Sequence, residues 1–246
     1  MLLGMRVDAT SYPEAVHLVS GWVRAGESRY VCCASVNNVM EAFDSGEFRT
    51  TTNTADLVTP DGMPLVWGLR LLGAREATRV YGPDLMVQVL ETAARENMPV
   101  GFYGTSAPTM ELLLAKVRQR FPSLRIAYAY SPPFRPLTAE EDARVTARIN
   151  ESGARILFVG LGAPKQERWM AAHRGSVRAV MLGVGAAFDF LAGIKPQAPG
   201  WMQRAGLEWL FRLLSEPLRL GPRYLRHNPR FLALFTLQLL GLRGRP

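Results

Sequence analysis

Short uncharged apolar runs alternate along this chain with longer stretches whose apolar residues recur every three or four positions. The first such run is Tyr30–Ala34 (YVCCA), followed by helical spacing from Asn37 to about Phe43. Brief apolar runs bounded by polar residues read as buried strands. Spacing of three and four reads as one face of a helix. By the same test 55–58, 100–103, 125–130, 156–159 and 179–184 are predicted strands. Predicted helices cover 64–72, 85–94, 110–120 and 165–173. Thr138, with Glu141 three residues on, forms a capping box that opens a helix to Asn150.

This alternation predicts an α/β fold: a Rossmann-like, mainly parallel sheet with helices on both faces. In such sheets ligands bind at the carboxyl ends of strands, beside helix N-termini, so the informative residues directly follow the strands. After Gly193 the pattern changes. Segments 206–214 and 218–240 are helical and rich in Arg, Leu and aromatics. The chain therefore divides into a core, 1–195, and a basic helical appendage, 196–246.

Composition adds little to this picture and charge adds more. With 48% apolar residues a packed core is expected, not disorder. The net charge is +8, yet from Trp201 onward eight arginines face only two glutamates, so +6 of it lies in the last 46 residues. A basic C-terminal segment seeks phosphate, in nucleic acid or at an anionic membrane. No nucleic-acid-binding motif accompanies the charge, which favours the membrane. Phe231–Leu240, the longest late apolar run, is too short to span a bilayer. The N-terminus lacks a signal-peptide core, so the expected location is cytoplasmic, peripheral to the membrane. Cys32 and Cys33, the only cysteines, are adjacent and read as small core residues. His17, His173 and His227 are isolated, without metal-ligand spacing.

Chemistry-bearing residues do follow the strands. Ser35 and Asn37 either cap the next helix or face the ligand crevice. Asp61, in Thr59-Pro60-Asp61-Gly62, is either a turn or N-cap carboxylate or a general base able to take the proton of an attacking hydroxyl. Arg79 is either a solvated charge or a bidentate partner for a diphosphate. Gly160-Leu161-Gly162-Ala163-Pro164-Lys165-Gln166-Glu167 joins a strand end to a helix start. Its glycines admit a ligand to the backbone, and the helix offers free N–H groups to phosphate. Gly183-Val184-Gly185-Ala186-Ala187-Phe188 resembles a dinucleotide-binding loop but carries Phe188 where the third glycine belongs.

TPDG (59–62), RVYGPDL (79–85), FYGTSAP (102–108), VGLGAPKQERW (159–169), GVGAAFDFLAG (183–193) and APGWMQRAGLEWLFRL (198–213), followed by EP (216–217), occur in one order. As a set they resemble the WecG/TagA/CpsF family of glycosyltransferases, from about Tyr30 to Tyr224. The resemblance implies an inverting, metal-independent transfer, without cofactor, from a UDP-sugar to an undecaprenyl-diphosphate-linked saccharide in cell-surface polysaccharide synthesis. It implies Asp61 as catalytic base, with Ser35, Asn37, Arg79, Gly104 and Gln166 lining the donor pocket. Gly162, Lys165, Glu167, Gly185 and Asp189 would belong to nucleotide-binding motifs. Arg212, Arg219 and Arg223 of the appendage would meet the lipid diphosphate at the inner face of the membrane, in a chain able to form homo-oligomers. Two departures weaken the arginine assignments. Gln197 stands where the family often has Arg, and Gly221-Pro222 interrupts the basic cluster, with Pro222 placed to kink or end a helix. Two rival readings stand beside this one: an NAD-dependent oxidoreductase or epimerase of nucleotide-sugars using the 183–188 loop, and a non-catalytic membrane-associated binder.

Overall fold

Six apolar runs pair side by side in the computed structural model, which describes residues 1–242. They are β1 (Arg29–Ala34), β2 (Leu57–Pro60), β3 (Val100–Gly104), β4 (Ile126–Tyr130), β5 (Ile156–Gly160) and β6 (Val180–Gly183). The order across the sheet is β2-β1-β6-β5-β3-β4, and every pairing is parallel. Strands covered on both faces need side chains apolar throughout, and β2, β3 and β6 are buried at every position. β2 lies two residues later than predicted. As an edge strand it accommodates Pro60, whose nitrogen faces away from β1, where no further strand needs its missing N–H; Pro60 sits opposite Ala34.

Helices α1 (Tyr12–Ala25), α5 (Gly82–Arg95), α6 (Ala107–Arg120) and the short α9 (Ala187–Leu191) cover one face. The other face carries α2 (Val36–Asp44), α3 (Gly46–Asn53), α4 (Met63–Leu71), α7 (Ala139–Ser152) and α8 (Lys165–His173). The sequence reading omits α1 and α3. Yet Ser11 caps α1 by accepting the Glu14 N–H, and Gly26 closes it in the left-handed region. Helix α3, GEFRTTTN, buries only Phe48 and Thr52, too little to show a periodicity.

The chain leaves β3 through α6 on one face and β5 through α8 on the other. These adjacent strands therefore form a topological switch point, the usual place for a ligand crevice. There the backbones nearly touch: a Cβ on Gly104, whose φ is +129°, would lie 2.6 Å from the Gly160 carbonyl.

The C-terminal segment folds as α10 (Gly200–Arg204), α11 (Glu208–Ser215) and α12 (Pro217–Leu239). Residues 243–246 of the appendage lie outside the described residues. α12 continues past Pro222 and Pro229, so Pro222 does not end the helix. The carbonyls that lose a partner belong to Leu218 and Leu225, residues that are 93% and 79% exposed, so their lost bonds fall on the solvent side of the helix. On its opposite side α12 buries Leu220, His227, Phe231 and Phe235. A Cβ on Gly68 of α4 would meet Leu2 at 2.9 Å and Phe235 at 3.3 Å, so α12 seats tightly on the core. Arg230 forks onto Asp44 at 2.5 and 2.6 Å, and Gln238 accepts the Leu3 N–H at 2.9 Å.

Candidate active site

Asp61 directly follows β2. The helix after it is capped by Gly62, so Asp61 is not the N-cap that its local sequence suggests. Its N–H donates to the Ala34 carbonyl at 2.9 Å, which extends the β1–β2 ladder by one bond. Its Oδ2 accepts the Gly82 N–H at 2.9 Å. Burial pushes its carboxyl from 3.8 up to about 6, and Glu208 adds to the rise, while Arg79, the Gly82 N–H and Arg212 oppose it. A carboxyl poised there is deprotonated at neutral pH yet basic enough to take a proton.

Arg79 is held from three sides. Its Nε donates to the Asp61 carbonyl at 2.6 Å, and its guanidinium stacks 4.1 Å above the Tyr81 ring. Its Nη2 is ion-paired with Glu208 of α11, and Nη1 reaches Gln203 of α10 at 3.4 Å. The appendage thus grips Arg79, a partnership the sequence does not reveal because 129 residues separate Arg79 from Glu208.

The predicted arginines converge. Arg212 is close enough to Asp61 to lower its pKa and stacks 5.8 Å from Phe190. Arg219 has its pKa lowered by burial and then by Arg212 and Arg223. Arg219 also pairs with Glu216, and the Arg223 Nε is buried without a partner. Asp189 is ion-paired: Lys195 bridges it, at 2.8 Å, to Glu216, also at 2.8 Å. Phe190, Lys195, Phe211, Arg212 and Glu216 line a cleft of about 190 Å³ between the α9 segment and α11 of the appendage.

Deeper in the sheet edge lies a polar chain. Ser35 caps α2, and both its N–H and its hydroxyl donate to Asn38 Oδ1, at 3.1 and 2.9 Å. Asn38 Nδ2 and Gln166 Nε2 each donate to Glu167 Oε1 at 3.1 Å. Glu167 is fully buried, and burial pushes its carboxyl up to about 7 against these hydrogen bonds. Asn37 sits beside Ser35, half-buried, so it is Asn38, its neighbour, that joins the network. Lys165 is exposed at the start of α8, following Gly162 with its φ of +77°. Gly185 lies next to Gln166, whereas Gly104 serves close backbone packing.

The 183–188 loop departs from a dinucleotide fingerprint for a visible reason. The Phe188 ring fills the space where a Cβ on Gly160 would come within 2.5 Å of it. Cys32 and Cys33 are free thiols, both raised by burial, Cys33 to about 12. His173 is buried, bonded to Asp142 at 2.9 Å and stacked on Trp169, where it joins α7 to α8. Thr105 has a φ of 56°, unfavourable for a β-branched residue, and sits at the switch point. No sequence motif marks it as strained. Among the described residues, no helix is long and apolar enough to cross a membrane.

The chain is similar to two Bacillus proteins along most of its length. An N-acetylglucosaminyldiphosphoundecaprenol N-acetyl-beta-D-mannosaminyltransferase of Bacillus spizizenii is 29% identical over 214 residues, 87% of this chain and 81% of that protein. A protein of the same name from Bacillus subtilis is 28% identical over 179 residues, 72% of this chain and 68% of that protein. The profile of the glycosyl transferase WecG/TagA/CpsF family spans residues 1–245, and the chain belongs to this family of glycosyltransferases.

Proposed function

We propose that this enzyme transfers a sugar, of the N-acetylmannosamine type, from a UDP-sugar to an undecaprenyl-diphosphate-linked saccharide in cell-surface polysaccharide synthesis. One observation carries the reading: a buried carboxyl raised to about 6, Asp61, lies beside Arg79 and within the field of Arg212 from the appendage. The names of the Bacillus relatives supply the acceptor and sugar class.

In this reading an acceptor hydroxyl attacks the anomeric carbon from the face opposite UDP. The new C–O bond forms as the bond to the diphosphate breaks, which inverts the centre. Asp61 takes the hydroxyl proton, and UDP leaves with the bonding pair. Arg79, Arg212 and Arg219 offset the charge that develops on the diphosphate, a task assigned here to arginines and not to a metal ion. The nucleotide lies along the ends of β5 and β6, over Gly162, Lys165 and Gly185.

The outer side of α12 favours the inner membrane face as the place of work. Leu218, Leu225, Leu232 and Leu239 recur every seven residues and are 93, 79, 63 and 42% exposed, with arginines between them. A screen of UDP-sugars against a water-soluble lipid-diphosphate saccharide tests the reading. Release of UDP that requires both substrates is expected; consumption of NAD, or binding without UDP release, would contradict it.

A further inference from the structure

The polar chain below the sheet edge has a direction. A backbone N–H can only donate, so the Ser35 N–H fixes which end of the Asn38 amide is oxygen. The Asn38 NH2 group must then face Glu167, and Glu167 Oε1 must accept. With no proton on Oε1, that oxygen accepts from Gln166 too, so Gln166 presents its NH2 inward. Its Oε1 is left over: buried, without a partner, on a side chain only 4% exposed. The amide lies over the end of β6, where two glycines leave room for it. A Cβ would come within 3.1 Å of Gln166 Nε2 at Gly183 and within 3.6 Å of Gln166 Oε1 at Gly185. An acceptor kept buried and unpaired costs stability until a donor reaches it, which points to a ligand group.

We propose that Asn38 and Glu167 are positioning residues that lock the Gln166 amide so that its carbonyl oxygen reads one hydroxyl or N–H donor of the bound nucleotide-sugar. The proposal rests on the transferase reading for the identity of the ligand. It goes beyond that reading in assigning polarity: the site accepts a donor group there and rejects an acceptor. Without the relay, Gln166 rotates and offers either end. The carboxyl of Glu167, raised by burial, is also consistent with a residue held for geometry rather than for charge.

Titration calorimetry with UDP-N-acetylmannosamine tests this, alongside analogues that each lack one hydroxyl or carry an N-methyl at one N–H. In the wild-type protein one analogue is expected to bind about tenfold more weakly than the parent. In Glu167→Leu that penalty should shrink to within about twofold, while penalties for the other analogues stay. Glu167→Gln keeps an acceptor facing both amides and should keep the penalty. Asn38→Ala gives the same readout as Glu167→Leu if the latter does not fold. The proposal is overturned if the wild type shows no such penalty. It is equally overturned if Glu167→Leu or Asn38→Ala weakens all ligands alike with the penalty intact, or if Glu167→Gln loses it. Failure of the transferase reading looks different: the wild type would bind none of the UDP-sugars.

Discussion

At the scale of single residues, the protein keeps the carboxyls of Asp61 and Glu167 at the site, where burial disfavours their charge. The folded state holds a proton on Asp61 more tightly than the unfolded chain does, because its pKa rises from 3.8 to about 6. That contribution to stability is fully present below about pH 4 and is lost as pH climbs through 6. Asp61→Asn should therefore melt several degrees above wild type at pH 8, where roughly 3 kcal/mol of burial cost is relieved, and near wild type at pH 4. Thermal melts at the two pH values check this. The same carboxyl sets the rate profile. kcat/KM should fall about tenfold per unit as pH drops below 6, because the base is then protonated. A pH–rate profile with no break between 5 and 7 would argue against Asp61 as the base. Much of this site is legible in the sequence, since TPDG and GAPKQE follow apolar strands. The partners are not: Glu208 and Asn38 owe their roles to contacts across 129 residues. Local sequence also makes Asp61 look like a turn or cap residue, until Gly62 is seen to take the cap.

At the scale of elements, the switch point depends on two facing glycines. A Cβ on Gly160 would enter the Phe188 ring at 2.5 Å, and one on Gly104 would strike the Gly160 carbonyl. Gly160→Ala should destabilise the protein by roughly 1–3 kcal/mol, and adding Phe188→Leu should recover part of it. Chemical denaturation of the single and double variants measures the coupling; additive losses would show that the ring is not what Gly160 makes room for. The sequence marks these glycines as ligand-friendly, and their packing reason emerges only with the strand order. Element order was largely legible because buried parallel strands are continuous apolar runs. α3 was not, since its Thr-rich sequence buries too little to show a period. Pro222 misled in the opposite direction: its lost hydrogen bond falls on the exposed Leu218 carbonyl.

At the scale of the molecule, the appendage and the sheet edge share their charged groups. Glu208 holds Arg79, Lys195 joins Asp189 to Glu216, and Arg212 acts on Asp61. Phe231 and Phe235 lie in the same apolar cluster as Leu2 and Leu3. Glu208→Ala should leave Arg79 unpaired at the site and, in the transferase reading, raise the KM for the UDP-sugar more than it lowers kcat, as steady-state kinetics would show. The basic, leucine-studded outer side of α12 should bind anionic vesicles and release them as salt rises from 0.05 to 0.5 M, in a co-sedimentation assay. The most direct test of the whole account compares wild type with Asp61→Asn in a UDP-release assay that holds both substrates, with UDP affinity measured in parallel. Transfer should fall by at least about 100-fold while UDP binds within about threefold of wild type. Transfer at near wild-type rates in that variant would contradict the account.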